Sequence, residues 1–285
     1  MPETVRPDGA RIHYEVRGTG LPVLLIGPGE LPGQCDTERA AFTEIADALA
    51  GRFQVITVDP RHQGASTGPA EPFCYGRTAA DLLAVLDELG VERAHIAASG
   101  AGTAQAWRLV QDAPDRVASV VAHAPVGLAE GNGLGDFLAT FDEPMRLARA
   151  EGVDGVIEEA GRGGGFAARP GAGPYARGLE GSPAFREEIR TLRRERYIVR
   201  VVRFRDGVWP QGSAYFSVPE EWMTTFPAPL LVLPGDSTPA PAALAKRLAA
   251  DVPGARLLDG AADTADRRTE TLAAVVSFLL ETTAR

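Results

Sequence analysis

Histidine is the side chain best suited to exchange protons at neutral pH without strong tuning, and this 285-residue chain has four: His13, His62, His95 and His123. None lies beyond residue 123. His123 closes the apolar run Val117 to Ala122, just ahead of Pro125, which predicts a place at the C-terminal end of a strand. Glu30 follows Gly27-Pro28-Gly29, and Asp263 falls in Leu258-Asp259-Gly260-Ala261-Ala262-Asp263-Thr264. An imidazole with two loop carboxylates is an acid–base set, and His123, Glu30 and Asp263 are candidate catalytic residues on that ground. Ser99 sits among the small residues Ala98, Gly100, Ala101 and Gly102. It reads as a displaced nucleophile, which would need a base, or as a structural or substrate-contacting hydroxyl. His62 is expected to hydrogen-bond within its loop, and His95, inside an apolar run, to be a satisfied core residue.

The elements that must position these groups alternate along the chain. Val23 to Ile26, Val55 to Val58, Ala94 to Ala98 and Val117 to Ala122 are short apolar runs of the kind buried on both faces of a parallel sheet. Between the second and third, Leu82, Val85, Leu86 and Leu89 repeat at helical spacing, and Gly90 follows as a stop. The alternation resumes with a strand at 230–233, a helix at 242–250, a strand at 255–258 and a last helix carrying Leu272, Val275, Val276 and Leu279. This predicts an α/β fold with a mostly parallel, doubly wound sheet. Between Val126 and Phe226 the strand signal stops; helical segments at 137–150 and 183–197 flank a glycine-rich stretch from Gly161 to Gly181. The expected organisation is a core of 1–126 and 227–285 with a helical cap at 127–226. The glycine-rich stretch has too little apolar content to pack alone, so it reads as a mobile loop, either a linker or a moving lid.

Composition narrows the partners. Apolar residues make up 45% of the chain and charged residues 24%, as expected of a chain that buries a large core. The net charge of −9 excludes a phosphate-tracking surface, and the run Arg190, Arg193, Arg194, Arg196 is interleaved with glutamates, as on a solvated helix face, so no nucleic acid is expected. Residues 1–20 carry Glu3, Asp8 and Glu15 and no continuous apolar stretch, which speaks against a signal peptide or membrane span and for the cytoplasm. Cys35 and Cys74 lack the spacing of a metal or redox site and read as buried filler. No His/Cys/Asp cluster has metal-ligand spacing. Gly27-Pro28-Gly29 lacks the Lys-Ser/Thr ending of a phosphate loop, and Gly100-Ala101-Gly102 lacks the downstream acid of a dinucleotide site, so no metal or cofactor is expected.

Residues 87–102, running from Leu89-Gly90 through a strand to Ala98-Ser99-Gly100-Ala101-Gly102, and then Pro114-Asp115-Arg116-Val117, resemble the nucleophile-elbow region of the α/β-hydrolase superfamily. Val58-Asp59-Pro60-Arg61-His62-Gln63-Gly64-Ala65-Ser66 resembles the superfamily's Asp-x-Arg-Gly-His-Gly-x-Ser loop. The resemblance implies an α/β-hydrolase fold covering roughly residues 9–126 and 227–285. Family sequences place the nucleophile ten residues after the Leu-Gly glycine and fourteen before the proline, and both spacings fall on Gly100. By the same resemblance the catalytic histidine's place falls at or near Asp263 and the acid's place on Thr238, with Asp236 a near substitute or a helix cap. The oxyanion loop corresponds to Gly27-Pro28-Gly29, where Pro28 has no N–H to donate. Gly27, Gly29, Gly100, Ala101 and Thr238 are therefore expected to line the substrate site. The expectation is a non-hydrolytic enzyme of lyase, isomerase or cyclase type acting on an apolar small molecule, in a tailoring step of secondary metabolism. A serine hydrolase using Ser99 and a non-catalytic small-molecule binder are the alternatives. Self-association into a homodimer stays open.

Overall fold

The computed structural model describes residues 2–27, 36–61, 65–69, 72–163, 165–169, 171–210, 212–235, 240–258 and 265–283, with the backbone alone at 36–41, 168, 177 and 265–268. Eight strands are formed among them: β1 (Glu3–Val5), β2 (Arg11–Arg17), β3 (Leu21–Ile26), β4 (Phe53–Val58), β5 (Ala94–Ser99), β6 (Val117–His123), β7 (Leu230–Leu233) and β8 (Arg256–Leu257). Their order across the sheet is β1-β2-β4-β3-β5-β6-β7-β8. The pairings β1/β2 and β2/β4 are antiparallel, and every pairing from β4 across to β8 is parallel.

Five helices flank this sheet: α1 (Asp36–Ala50), α2 (Tyr75–Glu88), α3 (Ala101–Asp112), α10 (Ala242–Asp251) and α11 (Ala265–Thr283). Between β6 and β7 lie α4 (Leu134–Ala139), α5 (Asp142–Gly161), α6 (Ala176–Gly181), α7 (Pro183–Arg190), α8 (Arg194–Val208) and α9 (Glu220–Met223), with no strand among the described residues there. Alternate strand residues face opposite sides of a sheet. One set, including Val23, Leu25, Val55, Ala97, Val121 and Leu231, packs on Phe42, Ile45 and Leu49 of α1 and on Val275, Phe278 and Leu279 of α11. The other set, including Leu24, Ile26, Ile56, Ile96, Ala98 and Val120, packs on α2, α3 and α10 in a cluster that continues into the inserted helices through Phe137, Val156, Leu179 and Val201.

The helix α2 ends as its spacing predicts: Gly90 takes φ 66°, and the Val91 N–H donates to Leu86 O at 2.8 Å. In α5, Gly152 at φ 76° breaks the helix, and the segment read as one helix over 183–197 divides into α7 and α8. The glycine-rich stretch corrects the expectation of a loop with nothing to pack: it holds α6, and Phe166, Ala172, Ala176 and Leu179 are buried against the larger cluster. Cys74 is exposed, not buried filler, because it caps the outer start of α2; Cys35 lies outside the described residues.

The returning limb of the insertion is fastened to the core. Tyr75 Oη donates to Val208 O at 3.1 Å, Ser217 Oγ to Ala104 O at 2.5 Å, and Tyr215 Oη to Asp251 Oδ2 at 2.6 Å. Burial, followed by the Asp251 hydrogen bond, raises the Tyr215 phenol well above its ordinary value, so it stays a neutral donor. Trp107 of α3 is fully buried edge-to-face on Phe226, and its indole N–H has no hydrogen-bond partner among the described residues.

Candidate active site

At the C-terminal end of β5 the chain turns sharply into α3 through Gly100, at φ 54° and ψ −129°. A side chain is strained in such a backbone conformation, whereas glycine enters it freely. The turn is held on both sides. The Gly100 N–H donates to His123 O at 3.0 Å, and Gly100 O accepts from the Thr103 N–H at 3.0 Å and from Thr103 Oγ1 at 2.7 Å. One step on, a Cβ on Gly102 would lie 2.4 Å from Gly27 O and 2.5 Å from Ile26 O, so only glycine lets the start of α3 approach the end of β3. The residue at the apex of the elbow therefore has no side chain.

Ser99 is the last residue of β5 and shares its alternation with Ala97 and His95, so its side chain faces the α1 and α11 side of the sheet. It is fully buried. In the parallel register Ser99 stands opposite His123, and Ser99 Oγ lies 2.9 Å from His123 Nδ1. Phe42 of α1 stacks on the imidazole, with ring centroids 6.3 Å apart and planes 19° from parallel. His123 is half-buried at the strand end, as its place before Pro125 predicts. Directly after it, Ala124 takes φ 45°, an uncommon conformation for a residue with a side chain, and its N–H donates to Leu233 O at 2.8 Å. The chain thus leaves β6 in a fixed direction at the site.

Four residues earlier on both strands a second pair bridges β5 and β6. His95 Nδ1 lies 2.8 Å from Ser119 Oγ, and His95 Nε2 lies 2.9 Å from Thr283 Oγ1 of α11. This is the core histidine the sequence suggested: burial first, then the Arg93 charge, pull its pKa down to about 4. His13 makes a third, peripheral arrangement with Asp59 at 3.1 Å, whose carboxylate also accepts from the Ala65 N–H.

Of the residues singled out from sequence, the structure brings Ser99, Gly100, Ala101 and His123 together at the ends of β5 and β6, with Gly27 exposed at the end of β3 nearby. Gly29, Glu30, Thr238 and Asp263 lie outside the described residues, as do His62 and Asp236. Phe42, Ala124, Ser119 and Thr283 were not singled out. The usable signal was the matching spacing His95-x3-Ser99 and Ser119-x3-His123, which acquires meaning only once the register is known. Among the described residues no group of His, Cys, Asp and Glu is placed to hold a metal ion, and no helix is long and apolar enough to cross a membrane.

Residues 22–159 match a family model described as the alpha/beta hydrolase fold. RutD of Azorhizobium caulinodans, a protein named for carbamate hydrolysis, is 36% identical over 150 residues, 52% of each chain. The matched part of the chain spans between about a third and a half of the length of the curated relatives it resembles. Among solved structures, a hydrolase from Pseudomonas aeruginosa superposes with a TM-score of 0.60 at 23% identity over 98% of this chain and 97% of that one. An enol-lactonase from Burkholderia xenovorans does so with a TM-score of 0.58 at 20% identity over 98% and 100%. At these identities the structural likeness speaks to the fold.

Proposed function

We propose that this chain, which belongs to the α/β-hydrolase superfamily, works as an enzyme without a covalent acyl intermediate, with His123 as its proton-transferring group and an apolar small molecule as substrate. The observation that carries this reading is Gly100 at the elbow apex: where the turn would present an attacking oxygen, there is a hydrogen atom. With no histidine after residue 123, a serine base from the usual late loop is also missing. What the scaffold retains is a strand-end imidazole beside the elbow, held by Ser99 and Phe42, and a helical layer over residues 127–226 that would close on an apolar ligand. Lyase, isomerase and cyclase steps need only proton movement and shape of this kind. Glu30 and Asp263 would supply the second acid–base group.

The names of the relatives favour a second reading, a hydrolase using Ser99. Against it, Ser99 belongs to the strand and is fully buried, with its hydroxyl on His123 Nδ1 and not at the apex. A fluorophosphonate probe separates the two. No labelling of the wild-type protein is expected; labelling that disappears in Ser99→Ala would establish the hydrolase and overturn the proposal.

A further inference from the structure

The structure assigns a second binding site, built wholly from the inserted helices, to a small zwitterion: an α-amino acid with an apolar side chain. A cavity of about 530 Å³ opens between α5, α6 and α7, lined by Ile157, Glu158 and Arg162, by Glu180, and by Arg186 and Arg190. Ile157 is buried and supplies an apolar wall. The two outer arginines are neutralised by acids of their own: Arg162 Nη1 donates to Glu159 Oε2 at 2.7 Å, and Arg190 pairs with Glu187 and Asp154.

Arg186 is not. It is half-buried, and its Nη1 donates to Leu179 O at 2.7 Å and to Glu180 O at 3.1 Å, among the last carbonyls of α6. These two bonds hold the guanidinium in place. Its Nε and Nη2 make no hydrogen bond among the described residues, and that edge is the one on which an arginine takes a carboxylate through two parallel bonds. Glu180 is half-buried too. Its carboxylate accepts from the Ala167 N–H at 3.4 Å and forms no ion pair, with Arg186 or any other cation, among the described residues. One cavity thus holds a cation and an anion that do not neutralise each other. Drawing a charge out of water is costly until it is paired. A zwitterion pairs both at once, with its carboxylate on Arg186, its ammonium on Glu180 and its side chain along Ile157. A simple anion fits worse, because Glu158 and Glu180 repel it.

The test is a ligand-observed NMR titration of the full chain with L-leucine and L-phenylalanine, each beside its analogue lacking the amino group and its analogue lacking the carboxylate, and beside inorganic phosphate. At least one amino acid should bind saturably, and its two single-charge analogues about tenfold more weakly, the loss expected for one charge-assisted contact. Glu180→Gln and Arg186→Gln should each weaken that amino acid by about the same factor. Arg186 also holds the end of α6, so if Arg186→Gln lowers the melting temperature, Glu180→Gln, which keeps both carbonyl bonds, decides alone. An unchanged affinity in either folded variant overturns the inference. So does a single-charge analogue that binds as well as its parent, saturation by phosphate in place of the amino acids, or no saturable binding of either amino acid. The result in either direction leaves the reading of the elbow and His123 as it stands.

Discussion

The same two strands carry two serine–histidine pairs, His95 with Ser119 and Ser99 with His123, four residues apart on one face of the sheet. Four residues of strand are about 13 Å, and over that distance the same chemical pair changes character. The inner imidazole has both nitrogens satisfied and sits in the layer between sheet and α11, where burial keeps it neutral. The outer one sits where the strands end and is half-buried under Phe42, beside a turn built on glycine. Residue type therefore says little about role here. Position along the strand decides it.

The sharpest test of that contrast is stability. His95→Ala should remove a fully packed ring and leave the buried Ser119 hydroxyl without its imidazole partner, at about 3 to 5 kcal/mol in denaturant unfolding. A value below about 1 kcal/mol would make the inner pair no more structural than the outer. Next comes pH. His95 in the folded chain titrates near 4, below its ordinary 6.5, so between those values the unfolded chain takes up a proton that the folded one refuses. The contribution is fully present above pH 6.5, is lost progressively as pH falls toward 4, and changes no further below that, amounting to about 3 kcal/mol. Comparing wild type with His95→Gln from pH 7 to 4 isolates it, because the variant lacks this slope; parallel curves would show that the inner ring is not held neutral. The smallest effect is expected at the outer pair. His123→Gln should shift unfolding stability by about 1 kcal/mol or less, since the ring is only half-buried and the amide can still meet Ser99. A larger loss would place His123 in the core with His95.

Much of the scaffold was legible because its signals are local. Leu230 to Leu233 forms a strand with the bounds its apolar run suggested, and Gly90 ends α2 because the last apolar repeat and the left-handed stop are adjacent in sequence. The stretch from Gly161 to Gly181 was misread for the complementary reason: Phe166 and Leu179 are few, but the partners that bury them come from other helices, which local composition does not contain. The edge strand β1 and its neighbour β2 were also missed, being short or only partly buried. At the site, the two spacings that converge on Gly100 agree with the strained turn found there. The pairing of Ser99 with His123 was out of reach, since nothing in either segment specifies how β5 and β6 align.

Gly100 has a thermodynamic consequence as well as a chemical one. Elbows that carry a side chain at such angles store backbone strain of about 1 to 3 kcal/mol as a cost of presenting it. Glycine adopts 54° and −129° without that tension, so the same bend is held here by a relaxed backbone. Putting serine at position 100 would reintroduce the tension and lower the melting temperature, whatever reactivity it conferred.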